Sequence, residues 1–376
     1  MGCFAPILPL FLISLDINIQ NYSLLMVIRS LAMVLFESYF GILSDKIGRE
    51  ILVVTSFFSL SLLTIGYTFS SHLAFFFILQ FMWGISSTAL APTFKTMVSN
   101  ITLSRNVGAA LGMYVTILTF GTIFGTLLGS YIAEIFGYLP VFYLISGVFF
   151  LAGLTISRSR NYACIKLNRW NFRLPQIPSI RIEPIMISLK SGIFEKKFLM
   201  IYLLTVIYTL GTGMVRMYIP IIAAEHFDAS IIQVGMILTV QSAVKALITP
   251  FSGYLSDKFN RLGIIISGFS LYIILGFLSF GISNLNGLTL VVAGMALSNA
   301  MIHPTLLALL TDLVSRDLWG SIHGVHGTFQ DIGVMISPIM ASVAWIRFGP
   351  MSLFPIAGVV QILNLIIILW IRNIVK

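Results

Sequence analysis

"GILSDKIGRE" occupies Gly41–Glu50, and "GYLSDKFNRL" occupies Gly253–Leu262. Both read Gly-x-Leu-Ser-Asp-Lys-x-x-Arg, and both stand at the end of a long apolar run, 212 residues apart. The same offset carries Pro92-Thr93 onto Pro304-Thr305, Gly108 onto Gly320, Gly112 onto Gly324, Gly121 onto Gly333, Gly137 onto Gly349 and Asp16 onto Asp228. The charged turn therefore belongs to a repeat, and one architecture is written twice along the chain.

Lipid is the solvent that this composition demands. The 376 residues are 58% hydrophobic and 9% charged, whereas a soluble domain carries roughly 25% charged residues. A helix needs about 20 apolar residues to cross a bilayer. Runs of that kind fall at about 22–44, 51–70, 73–98, 107–133, 139–157, 198–224, 230–254, 262–283, 288–311, 320–346 and 350–371. Residues 1–15 suggest a twelfth, shorter span. Period-two alternation, the mark of a membrane barrel, is absent from these runs. The expected architecture is an all-α integral membrane protein of two six-helix bundles, residues 1–157 and 198–376, joined by a basic linker at 158–197. Six spans per half give both halves the same orientation, related by a pseudo-two-fold axis along the membrane normal. Phe198 opens span 7, and its repeat partner would fall near position −14, so span 1 reads as truncated and the natural chain is expected to start upstream.

The net charge of +9 follows membrane topology. Threading the spans alternately puts the linker cations on one face with Lys46, Arg49, Arg105, Lys258, Arg261, Arg316, Arg372 and Lys376. The positive-inside rule makes that face, and the C-terminus, cytoplasmic in a multi-pass cell-membrane protein. Nucleic acid is not an expected partner. Cys3 and Cys164 define neither a disulfide framework nor a metal motif. No Gly-x4-Gly-Lys-Ser/Thr loop is present for nucleotide, and neither His-Glu-x-x-His nor Gly-x-Ser-x-Gly for catalysis. Neither enzyme activity nor a cofactor is expected.

The repeated turn resembles the major facilitator superfamily's G-x-L-a-D-R/K-x-G-R-R/K pattern. Gly41, Leu43, Asp45, Lys46, Gly48 and Arg49 match in the first copy. Gly253, Leu255, Asp257, Lys258 and Arg261 match in the second, where Asn260 replaces the glycine. The resemblance implies a secondary transporter in which these turns join spans 2–3 and 8–9. Each Asp would meet the N-terminal end of a helix of the opposite half, near Gly320 for Asp45 and near Gly108 for Asp257. The positive end of the helix dipole stabilises a carboxylate there, so the contact would act as a gate. It also implies Asp312 as the partner of Arg261. Gly112-x8-Gly121-Thr-x-x-Gly125-Thr resembles the antiporter pattern G-x8-G-P-x-x-G-G, with Thr122 and Thr126 as departures. With Gly129, these glycines are expected to pack span 5 against the other half. Gln80 stands where exporters of the family carry a span-4 Arg.

Ionisable groups inside spans are costly and mark pathways or partners. Here they are Arg29, Glu37, Arg216, Lys245 and Asp331, all on spans that the resemblance places around a central cavity. Lys245 and Asp331 are candidates for substrate or proton binding, or for an ion pair with each other or with a histidine. Arg29 and Arg216 either bind an anionic group or snorkel outward. Glu37 reads as a gate residue. Gln241 shares a helix face with Lys245, and His303 precedes Pro304 in a helix expected to be broken. His323 and His326 lack the further ligands of a metal site. The functional expectation is a monomeric secondary active transporter of a small organic solute, working by alternating access with the proton as candidate coupling ion. Multidrug export and organic-anion uptake compete within that expectation, and a non-transporting sensor of the same fold competes with it.

Overall fold

The computed structural model describes residues 2–47, 49–69, 72–101, 107–159, 195–314 and 319–375. The linker at 160–194 lies outside the described residues. Within them the chain forms helices α1 (Phe4–Ser14), α2 (Ile19–Ile47), α3 (Arg49–Gly66), α4 (Leu73–Ile101), α5 (Val107–Phe136) and α6 (Tyr138–Ser159). Then follow α7 (Lys196–Arg216), α8 (Ile219–Phe227), α9 (Ile231–Lys258), α10 (Arg261–Leu278), α11 (Leu285–Asp312), α12 (Trp319–Phe348) and α13 (Leu353–Val375). Among the described residues eleven segments are long and apolar enough to cross a membrane, α7 and α8 together making one of them. Helix α1 is apolar but has 11 residues, and its start packs beside Gly125 and Gly129, within the length of α5.

The repeat is visible in the backbone. Among the described residues, positive φ occurs at Asp16 (58°) and Asp228 (49°), and at Gly137 (82°) and Gly349 (85°). Each pair is separated by the offset of the charged turns. Asp228 closes α8 in the left-handed conformation, which a short polar side chain tolerates and a branched one does not. Glycine, without a Cβ, makes the turns from α5 to α6 and from α12 to α13.

Packing repeats as well. Helix α2 lies on α4 as α9 lies on α11, α3 on α6 as α10 on α13, and α1 on α5 as α7 on α12. The halves meet along two seams, α2 with α12 and α5 with α9, which the pseudo-two-fold interchanges. The end of the bundle where α9 turns into α10 is called the motif end below, and the opposite one the far end.

Two prolines act differently. Pro220 lies in the first turn of α8 and lacks the N–H that would reach the Arg216 carbonyl, so the helix breaks between Arg216 and Ile219. Pro304 was expected to break span 10, yet α11 runs through it unbroken. The carbonyl that Pro304 leaves without a helical donor is that of Ala300, and Ser252 on α9 donates its hydroxyl there at 2.6 Å. A neighbouring helix thus supplies the hydrogen bond that lets proline remain inside a membrane helix.

The departure in the second turn also has a structural use. Asn260 caps α10, its side-chain oxygen accepting from the Leu262 N–H at 3.0 Å. Asn260→Ala is expected to cost about 1 kcal/mol, and Asn260→Gly only a few tenths. Thermal unfolding of the solubilised protein checks that order.

Candidate functional site

At the far end neutral hydroxyls join α2 to the break between α7 and α8, and that break to α12. Tyr22 donates to the Met217 carbonyl, which the break after α7 leaves available, at 3.0 Å. Ser23 and Tyr218 share a hydrogen bond between their hydroxyls, and Tyr218 donates to the Pro338 carbonyl at 3.1 Å. The Tyr22 and Tyr218 rings meet edge to face, 5.5 Å between centroids. All three side chains are buried.

The α5–α9 seam is closed by small residues. The Thr126 and Thr239 hydroxyls are 2.9 Å apart. Ser130 occupies the space in which a Cβ on Gly235 would sit. The Ile232 N–H donates to Glu134 Oε2 at 3.3 Å. This corrects the expected role of the α5 glycines. Gly125 and Gly129 pack against Cys3 within their own half, and Gly121 meets nothing within 4 Å. Each residue advances about 100° around a helix. That step turns Thr126 and Ser130 toward α9 while Gly125 and Gly129 face α1. The glycine of the inter-half contact is Gly235.

Deeper along the α2–α12 seam, Glu37 and Asp331 join their side chains by a hydrogen bond. An ionised carboxylate only accepts, so a hydrogen bond between two acids requires a proton on one of them. It also rules out the expected pairing of Asp331 with Lys245 or a histidine, because the partner is an acid from the other half. Arg29 lies over the Trp83 ring, 5.7 Å from its centroid, rather than snorkelling outward. It is within electrostatic reach of Arg216, and Arg216 within reach of Lys245. Arg216 and Lys245 are exposed and Arg29 is half-buried. Among the described residues none of these three cations has an acidic or side-chain hydrogen-bond partner. Gln241 is half-buried, one helical turn from Lys245.

The histidines form a group that the sequence did not reveal. His326 on α12 lies within electrostatic reach of both His303 on α11 and His323 on its own helix. His323 Nε2 is 3.2 Å from Thr311 Oγ1, and His326 is buried with Nε2 unpartnered. The only hint was that the three fall on consecutive spans near the same membrane face. No cluster able to hold a metal occurs among the described residues.

At the motif end, Arg261 Nε and Asp312 Oδ2 are 2.9 Å apart. Lys258 lies over the Tyr254 ring at 4.8 Å, and Gly253 faces open space. Arg49 opens α3. Gly48 and the side chains of Asp45, Lys46 and Asp257 lie outside what the structure describes, whereas Gly41 belongs to α2 and Gly112 to α5.

Two repeat-related helical bundles, facing each other across charged groups set deep in membrane-spanning helices, define a multi-pass membrane protein. The sequence model of the Major Facilitator Superfamily matches residues 1–173 and 201–375, and the chain belongs to that family of transporters. It is 23% identical, over 90% of its length and 86% of the relative's, to an uncharacterized MFS-type transporter of Methanocaldococcus jannaschii. It is 22% identical to the multidrug resistance protein MdtG of Rahnella sp., over 97% of this chain and 90% of that one. The MdtG of Salmonella typhimurium is also 22% identical, over 97% and 92%.

Proposed function

We propose that the protein is a secondary active transporter that exports a small organic solute by alternating access, coupled to protons. The observation that carries this reading is the character of the contact between the halves. A few hydrogen bonds of neutral hydroxyls hold the far end together, above ionisable side chains contributed by both halves. Apart from the Glu134 carboxylate, such a contact separates without exposing a charge at the far end, and the groups beneath it are then reached from the other side. Export is favoured by the relatives named for multidrug resistance. The proton is favoured by the Glu37–Asp331 contact, which takes one up when it forms.

The basic turns place the motif end in the cytoplasm. In that orientation Asp45 and Asp257 act as gates on the inner face. The Arg261–Asp312 pair, half exposed, contributes about 0–1 kcal/mol to stability and serves to position the second turn. The test is flux in proteoliposomes under an imposed pH gradient, with ethidium as a cationic solute and carboxyfluorescein as an anionic one. Gradient-dependent movement of either supports the reading. Movement of neither, by protein that still unfolds cooperatively, favours a sensor that has kept the fold without transport.

A further inference from the structure

We propose that Arg29, Arg216 and Lys245 form a binding site for the oxyanion head of a small organic anion. This rests on the transport reading and narrows it to a substrate class.

Charge balance is the first argument. A cation held in the membrane interior is costly unless paired. Arg29 comes from one half, Arg216 and Lys245 from the other, and the charged neighbours that the structure gives them are each other. Glu37 of α2 and Asp331 of α12 are bonded to each other. Arg216 is set between Arg29 and Lys245, and none of the three has an acidic partner among the described residues, so a ligand or solvent supplies the negative charge.

Donor chemistry is the second argument. Guanidinium and ammonium groups offer hydrogen-bond donors and no acceptor, and an indole offers only its N–H. Behind Arg29, Trp83 Nε1 and the Tyr67 hydroxyl are buried without partners, so no anionic protein group balances Arg29 from that side. Gln80, one turn before Trp83 on α4, is also buried with both amide atoms unpartnered. The surroundings are thus electropositive from three helices. Two arginine forks and a compact ammonium suit the several oxygens of a carboxylate, sulfonate or phosphonate. A lipophilic cation would meet only repulsion there.

The site also spans the two halves. An anion between Arg29 and Arg216 cancels a repulsion that otherwise pushes the halves apart, so it binds the closed arrangement more tightly than the open one. Differential affinity of this kind lets a ligand shift a conformational equilibrium.

The test uses the full chain in detergent with three probes of one shape: 2-naphthalenesulfonate, 2-naphthol and (2-naphthyl)trimethylammonium. Phenylphosphonate and octanesulfonate vary the body of the anion. The sulfonate is expected to raise Tm in a concentration-dependent way, and its neutral and cationic counterparts to have no such effect. Arg216→Gln is expected to weaken sulfonate binding by about tenfold or more. The same variant without ligand is expected to melt no lower than the parent, since it removes repulsion and breaks no pair. The proposal is overturned if none of the three anions shifts Tm, or if the cationic probe shifts it as much. It is equally overturned if the shift survives Arg216→Gln, or if unliganded Arg216→Gln is destabilised. Flux of ethidium that Arg216→Gln leaves intact would sink the anion site but keep transport. Anion binding without any flux would do the reverse.

Discussion

Gly333→Ala is expected to destabilise the protein by about 3 kcal/mol, whereas the same change at its repeat mate, Gly121, is expected to stabilise it by up to about 1 kcal/mol. A Cβ on Gly333 would collide with the Thr209 hydroxyl and the Val206 carbonyl of α7. Thr209 uses that hydroxyl to reach the Gln330 carbonyl at 3.1 Å, tying α7 to α12. The added methyl either breaks that tie or moves a helix. At Gly121 nothing lies within 4 Å, so alanine only reduces the entropy lost on folding. Thermal unfolding of both variants in detergent gives the two signs. Adding Thr209→Ala to Gly333→Ala is expected to restore part of the loss but not all, because the Val206 carbonyl stays in the way. Equal effects at Gly333 and Gly121 would contradict the packing described for α7 and α12.

Glu37→Gln is expected to abolish accumulation driven by a pH gradient while leaving exchange between equal solute pools. The Glu37–Asp331 contact in the parent needs a proton between two acids. A glutamine amide supplies its own N–H to the Asp331 carboxylate, so the contact forms with no proton taken up and the gradient loses its point of action. Asp331→Asn should behave alike. Among the described side chains, Glu37 is the charged group set against Asp331; the side chain of Lys95 on α4 lies outside them. Solute accumulation in proteoliposomes at fixed voltage is the measurement. Full gradient-driven accumulation by Glu37→Gln would remove this pair from the coupling mechanism.

Much of the fold was legible because lipid imposes a simple rule. Every span must be long, apolar and helical, so composition alone marks where the helices run. The charged turns then fixed the register of the repeat, and Asp16/Asp228 and Gly137/Gly349 extended it to positions whose left-handed backbone the structure shows. The candidate site was legible only as a list of costly residues. Arg29, Glu37, Arg216, Lys245 and Asp331 stand out against an apolar background, but which of them meet depends on how α2 packs on α12, information carried by no periodicity. Lys245 and Asp331 look like an ion pair by charge, yet Asp331 meets Glu37 instead. The far-end closure was invisible, since Tyr22, Ser23 and Tyr218 look like any hydroxyl-bearing residues near a membrane surface. The span-5 glycines misled for a related reason: spacing tells which residues share a helix face, not which neighbour that face meets.

The hydroxyl closure at the far end has a quantitative consequence. Four hydrogen bonds named above cross between the halves there and along the α5–α9 seam: Tyr22 to Met217, Ser23 with Tyr218, Thr126 with Thr239, and Ile232 to Glu134. Each contributes a net of about 1 kcal/mol, so together they bias the closed arrangement over an open one by roughly a thousandfold. Inverting a bias of that size takes a ligand, or a ligand and a proton together, with about 4 kcal/mol of preference for the other state. A micromolar solute has about 8 kcal/mol of binding energy in all, so half of it, spent selectively, is enough to throw the switch. Replacing any one of these hydroxyl contacts by an ion pair would raise that threshold and hold the molecule in a single state.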